Sequence, residues 1–238
     1  MLSVTIWNEF RKEKSGPAGE IYPAGIHHTI AAGIAADDLN IRCVALDDPE
    51  QGLPEDILNS TDVLIWWGHC HHQEVDDSLV ERIRQRVLSG MGLIVLHSGH
   101  DSKVFKAVLA TSCSLRWRSI GERERFWVVD PSHPIAHGVP LTFALEHEEM
   151  YGEPFGIPDD AKVIFLSWYQ GGDVFRSGVT FQRGAGKIFY FSPGHETCPS
   201  YHNRNVLTVI GNAVRWAAPA GVFEWKCEKW AEPVEKIN

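Results

Sequence analysis

The sequence predicts an α/β fold on a mostly parallel sheet, and three observations predict it. Two short runs, Asp62–Trp67 and Gly92–His97, are almost uniformly Val, Leu, Ile and Trp, without the alternation of a half-exposed strand. Strands read this way when both faces are covered. Segments of helical period alternate with these runs, an arrangement that packs helices on both faces of a parallel sheet. At 238 residues, 44% hydrophobic and 22% charged, the chain can also bury one sizeable core.

Ser3–Trp7 reads as the first strand. Ala24–Asp38 reads as a helix carrying Ile26, Ile30 and Ile34 on one face. Ile41–Leu46 is a short apolar strand closed by a turn at Asp47-Asp48-Pro49. After Asp62–Trp67, the span Asp76–Ser89 turns Leu79, Val80, Ile83 and Val87 inward and Glu81, Arg82, Arg84 and Arg86 outward. Ser102–Ala110 follows Gly92–His97 as a helix. The second half changes character: Glu124–Val129, Lys162–Ser167, Val174–Gln182 and Lys187–Ser192 read as strands. Arg183-Gly184-Ala185-Gly186 reads as a hairpin turn. Asn203–Ala217 closes the core as a helix. Residues 1–218 are expected to form one domain. Residues 219–238, with Phe223, Trp225 and Trp230 among charges, are expected to pack as a tail on it or on a neighbouring subunit.

A formal charge of −9 without a basic stripe argues against a nucleic-acid partner. No apolar run approaches the roughly 20 residues of a membrane span, and Met1–Phe10 lacks the basic and apolar regions of a signal peptide. Five cysteines with no CxxC spacing read as reduced thiols, so a cytoplasmic protein is expected. Nine tryptophans point to core filling or, alternatively, to stacking on sugar faces.

In open parallel sheets ligands bind outside the carboxyl ends of the strands. Three strand ends here deliver histidine to that edge: Gly68-His69-Cys70-His71-His72, His97-Ser98-Gly99-His100 and Pro193-Gly194-His195-Glu196. His133 and His137 read as turn residues and His28 as an exposed helix residue. Neutral imidazole is the commonest metal ligand, and catalytic zinc takes three protein ligands plus water. There is no HExxH, so a divalent metal, zinc first, rests on convergence, with His69, His100 and His195 as its expected ligands. His97, Glu149 and Glu196 are then the expected general acid, general base or supporting groups. Glu146-His147-Glu148-Glu149 reads equally as a solvated turn, with Glu149 singled out by Met150-Tyr151 beside it. The strand-to-helix turn around His97 has the shape of a nucleophile elbow, but GxSxG is not met.

Several of these phrases together resemble the trehalose-utilisation (ThuA-like) family. They are Tyr22-Pro23 with Gly25-Ile26-His27, Trp66-Trp67-Gly68-His69 with His72, and Leu96-His97-Ser98-Gly99-His100. Further on come Glu148-Glu149-Met150-Tyr151-Gly152-Glu153, Phe191-Ser192-Pro193-Gly194-His195-Glu196 and Asn212-Ala213-Val214-Arg215-Trp216-Ala217. The resemblance implies a class I glutamine-amidotransferase-like fold, a flavodoxin-like three-layer α/β sandwich. In that superfamily a nucleophilic Cys occupies the elbow and a His with Glu follows a late strand. Here His195 with Glu196 is similar to the late pair, but His97 stands at or next to the elbow and the Cys is missing, which argues against amidotransferase or glutaminase activity. The family implies carbohydrate catabolism on a sugar or an oxidised (keto) disaccharide. Trp66, Trp67, Tyr151, His27 and His72 are then the expected substrate-binding residues, and a homo-oligomer is the expected assembly. The alternative is a non-catalytic sugar-binding or regulatory protein on a scaffold that has lost its nucleophile.

Overall fold

The computed structural model describes residues 1–224 and 226–237. A nine-stranded sheet carries the fold: β1 (Leu2–Asn8), β2 (Leu39–Ala45), β3 (Val63–Trp67), β4 (Gly92–Leu96), β5 (Arg116–Val128), β6 (Thr142–Gly152), β7 (Lys162–Tyr169), β8 (Val174–Arg183) and β9 (Gly186–Phe191). Its spatial order is β2-β1-β3-β4-β9-β8-β7-β5-β6. The first five are parallel neighbours and stand in the flavodoxin-like order, with β9 in fifth place. From β9 outward every pairing is antiparallel.

The sheet is therefore mixed, which corrects the mostly parallel expectation. The reason is connection length. A parallel return needs a crossover of a dozen or more residues, whereas two residues, Gly184-Ala185, join β8 to β9 and force a hairpin.

Six helices flank the sheet: α1 (Gly16–Ile21), α2 (Ile26–Ile34), α3 (Glu55–Asn59), α4 (Asp77–Leu88), α5 (Lys103–Leu109) and α6 (Arg204–Ala217). On one face α2 brings Ile26, Ile30 and Ile34, and α6 brings Val206, Val209, Ile210, Ala213 and Val214, against Ile6, Ile65, Ile94 and Phe189. On the other, α4 and α5 bring Leu79, Ile83, Val87, Val104 and Phe105 against Leu64, Trp66, Leu93 and Val95. Two cores on opposite faces explain the uniform apolar strands. Asn203 caps α6 by accepting the Asn205 and Val206 N–H groups, and Ser102 caps α5 by accepting that of Phe105.

β5 and β6 form a long ribbon at the far edge, and β6 carries a bulge. Glu122 pairs with Glu148 and Glu124 with Leu145, so Glu146-His147 oppose Arg123 alone. A bulge bends and twists its strand. Beyond it Glu148, Glu149, Met150 and Tyr151 are all buried, while Glu146 and His147 are exposed. The bend brings the end of β6 back over the carboxyl ends of β4 and β9.

Past α6 the Phe223 N–H donates to the Ser89 carbonyl at 2.9 Å. Trp230, Val234 and Ile237 are exposed, and Trp225 lies outside the described residues. Among the described residues no helix is long and apolar enough to cross a membrane.

Candidate active site

Four parallel strands end at one edge, and each hands a side chain to the same place. Glu9 follows β1, His69 follows β3, His97 follows β4 and His195 follows β9. The crevice at a reversal in strand order is where such sheets bind ligands, and β1 and β3 form that reversal here.

Glu9 builds the first wall. Its carboxylate accepts the backbone N–H of His69 (2.7 Å), Cys70 (2.9 Å) and His71 (2.9 Å). Three bonds to one buried carboxylate fix the turn that aims His69 inward. Sequence reasoning missed Glu9 because a lone carboxylate matches no motif. The signal available was its position at the same strand-end edge.

His97 holds a left-handed backbone, φ +48°, at the tight turn after β4. Non-glycine residues held there mark strained, functionally placed turns. Its ring is fully buried. Nδ1 donates to the Ser192 carbonyl at 2.9 Å, and Nε2 lies 3.3 Å from a Glu149 oxygen. Burial disfavours the imidazolium, but the hydrogen bond and charge of Glu149 outweigh it and raise the His97 pKa. Glu149 is pulled the opposite way. Burial would raise its carboxyl, yet the bond to His97 and the nearby imidazoles hold it down at about 2. The pair is an ion pair, with both His97 nitrogens facing oxygen acceptors.

Tyr151 closes this corner. Its ring stacks on His97 (4.9 Å between centroids, 11° between planes), and its hydroxyl meets Ser98 Oγ at 2.8 Å. Glu148 lies behind, fully buried, accepting the Gly194 N–H at 3.0 Å and bonded to the Ser200 hydroxyl. It is a second residue the sequence did not single out, since strand alternation leads one to expect only one of two successive glutamates to be buried. Gly194 permits this turn: its φ is +128°, and a Cβ there would run into the Tyr201 ring.

His69, His195 and Glu196 form a compact donor set, with one ligand atom from each inside 4.8 Å of the others. His69 Nδ1 is 3.1 Å from Glu196 Oε2, and His195 Nε2 is 3.5 Å from the same oxygen. Thr197 Oγ1, 2.8 Å from His195 Nδ1, orients that ring. Burial, then the charge of His97, lowers the His69 pKa and brings that of His195 down to about 4. Both imidazoles are therefore neutral at neutral pH, the form that ligates metals. Glu196 Oε2 is buried and makes no hydrogen bond. Its nearest polar neighbours are the two imidazoles, and a divalent cation is a partner that fits among the three groups. Two imidazoles, a carboxylate and an open position make a set that zinc takes.

His100, expected as the third metal ligand, stands apart from this set. Its Nδ1 donates to the Cys113 carbonyl at 2.8 Å, and burial lowers its pKa to about 4. Glu196, rather than His100, lies grouped with His69 and His195. Trp66 and Trp67 are wholly buried. Trp66 stacks on Trp7 at 3.7 Å, and Trp67 donates to the Gly194 carbonyl at 3.0 Å. Neither has a face free for a ligand, because β3 is covered on both sides. His27 bonds Asn8 Nδ2 at 2.9 Å, in a buried network with Glu13. His72 and Tyr151 do line the site's cavity, of about 440 Å³, with His69, Ser98, His100 and Glu149. His28 is exposed on α2, and His133 caps its own turn by accepting the Ile135 N–H.

Cys70 is exposed, and burial raises the buried Cys198 thiol far above its ordinary value. The tight turn after β4 holds His97 and no cysteine. Thiolate nucleophiles need an electropositive setting, which neither cysteine has.

No curated protein sequence matches the chain significantly. Among solved structures, a ThuA-like protein from Bacteroides uniformis superposes with a TM-score of 0.66 at 13% identity, covering 93% of this chain and 94% of that one. A ThuA-like protein from Parabacteroides merdae gives 0.66 at 14% identity, covering 94% and 92%. A protein from Salmonella typhimurium described as cytoplasmic gives 0.61 at 11% identity, covering 91% and 100%. These likenesses show the α/β fold. The family model described as trehalose utilisation matches residues 3–217. With nearly the whole chain matched, this protein belongs to the trehalose-utilisation (ThuA) family.

Proposed function

We propose that the protein is a metal-dependent enzyme of carbohydrate catabolism, acting on a sugar or keto-disaccharide on an amidotransferase-like scaffold. One observation carries the reading: the His69, His195 and Glu196 donor set, with its unpartnered buried oxygen, sits against the His97–Glu149 ion pair. A passive pocket needs few titratable groups, whereas acid–base work needs pairs whose environments separate their protonation states.

His69, His195 and Glu196 would hold the metal, zinc first, which supplies Lewis-acid polarisation of a carbonyl or hydroxyl oxygen. Glu149 lines the cavity, and its carboxylate is ionised, so it is the group placed to take a proton from bound substrate. His97 is fully buried and cannot touch substrate. It acts through Glu149, compensating the carboxylate's charge through Nε2. The Ser192 carbonyl keeps Nδ1 protonated meanwhile. Tyr151 and Ser98 offer hydroxyls to a substrate oxygen. This divides the roles expected of His97 and Glu149: one touches substrate and the other positions it.

Turnover of trehalose and its keto derivatives by zinc-loaded protein tests the proposal. Glu149→Gln keeps the shape and loses the base, so kcat is expected to fall about 10²- to 10⁴-fold with ligand affinity held within a few-fold. Undiminished kcat in Glu149→Gln contradicts the assignment. Sugar binding without turnover under any metal favours a binding or regulatory protein instead.

A further inference from the structure

The cavity's lining runs from buried to open: Glu149 and Tyr151 are buried, Leu115 is partly buried and Trp117 is 67% exposed. Trp117 on β5 pairs directly with Tyr151 on β6, and directly paired residues point to the same face of an antiparallel sheet. One aromatic is thus packed against His97 while its neighbour stands open at the mouth. An open indole lining a cavity offers a flat apolar face to a ligand ring.

A second observation points to a ligand. His72 lines the same cavity, is nine-tenths buried, and its Nε2 has no hydrogen-bond partner. Buried polar atoms without partners are rare, and each calls for an explanation. His100, also in the lining, commits its Nδ1–H to the Cys113 carbonyl. When the ring is neutral, that leaves Nε2 as an acceptor. An aromatic face beside imidazole nitrogens lacking protein partners suits a ring with an apolar face and hydroxylated edges.

We propose that Trp117, His72 and His100 form a subsite for the second sugar ring of a disaccharide, whose first ring lies at Glu149 and the donor set. The inference rests on the sugar reading above and adds to it: the stacking platform is Trp117, and the preferred ligand has two rings. The distal ring would be held by stacking and by a hydrogen bond to His100 Nε2, and a turn of the His72 ring would bring its unpartnered Nε2 to the same ligand, away from the reacting atoms. Its loss would therefore weaken binding more than it slows chemistry.

Isothermal titration of zinc-loaded protein with trehalose, its keto derivative and glucose tests this. The unaltered protein is expected to bind a disaccharide at least ten-fold more tightly than glucose. Trp117→Ala should weaken disaccharide binding about ten-fold, leave glucose binding and zinc content unchanged, and raise KM more than it lowers kcat. Trp117→Phe should recover most of the affinity. Trp127→Ala is the control, since Trp127 is 50% exposed but lines a different groove on the sheet. Equal disaccharide affinity in Trp117→Ala and the unaltered protein overturns the subsite and leaves the sugar reading standing. Failure of the unaltered protein to bind any of the three sugars overturns both.

Discussion

Glu9 accepts three consecutive backbone N–H groups, so it fixes the orientation of His69 without touching the substrate cavity. Removing it leaves partly buried donors unpaired, at up to about 1–3 kcal/mol each where water cannot replace the oxygen. It also frees the loop that carries His69, a proposed metal donor, and lost supporting contacts of this kind typically weaken metal affinity 10- to 100-fold. Glu9→Ala is therefore expected to lower zinc affinity in that range in a chelator competition, and to lower the melting temperature. Unchanged zinc affinity would show that His69 is held by something else. The same scale explains where residue-level reading of the sequence failed. Trp66 and Trp67 resemble a sugar platform as letters, but a central strand buries both rings, and the exposed indole in the cavity's lining is Trp117. His100 falls in the right turn, yet the 3-10 geometry of residues 97–101 sends its ring to Cys113. Glu196 then completes the donor set.

β5 and β6 decide the site's electrostatics at the scale of elements. Past the bulge Glu148 and Glu149 are both buried, and β5 buries Glu124 beside them. Glu124 accepts the Tyr169 hydroxyl at 2.8 Å and the Ser192 hydroxyl at 3.2 Å. Burial, then the charge of Glu148, pushes its pKa from 4.5 to about 8. Between those values the folded protein keeps a proton that the unfolded chain has released. Its contribution to stability therefore falls as pH rises from 4.5 to 8, and is fully present only below 4.5. Glu124→Gln mimics the protonated form and is expected to flatten that fall, measured as melting temperature at pH 5, 6.5 and 8. A slope equal to that of the unaltered protein would contradict a protonated Glu124. This part of the fold was the least legible in the sequence. β6 was not read at all, because Glu146 to Glu149 look like a solvated turn when a bulge breaks the alternation. The strands β1 to β4 and the helices α4 and α6 were legible, since burial on two faces and a clean 3.6 period leave unambiguous patterns.

Across the whole molecule, topology gathers the chemistry. Parallel strands β1, β3, β4 and β9 all end at one edge, and the antiparallel ribbon bends back over that edge to supply the carboxylates. The convergence of histidines was visible in the sequence because each follows an apolar run. The mixed character of the sheet was visible only in part, at the Gly184-Ala185 turn. A larger groove of about 950 Å³, lined by Trp127, Leu166, Trp168 and Val174, opens elsewhere on the sheet. Its one carboxylate, Glu153, is locked onto Arg176 at 2.8 Å, so it offers no acid–base pair. Volume does not mark the chemistry here; the convergence of titratable groups does.

The central claim is that His69, His195 and Glu196 hold a metal beside the His97–Glu149 pair, and elemental analysis of tag-free protein tests it most directly. About one zinc or other divalent metal per chain is expected, lost in His195→Ala and Glu196→Gln and retained in His100→Ala. No stoichiometric metal after reconstitution, or metal lost in His100→Ala and kept in Glu196→Gln, would contradict the account.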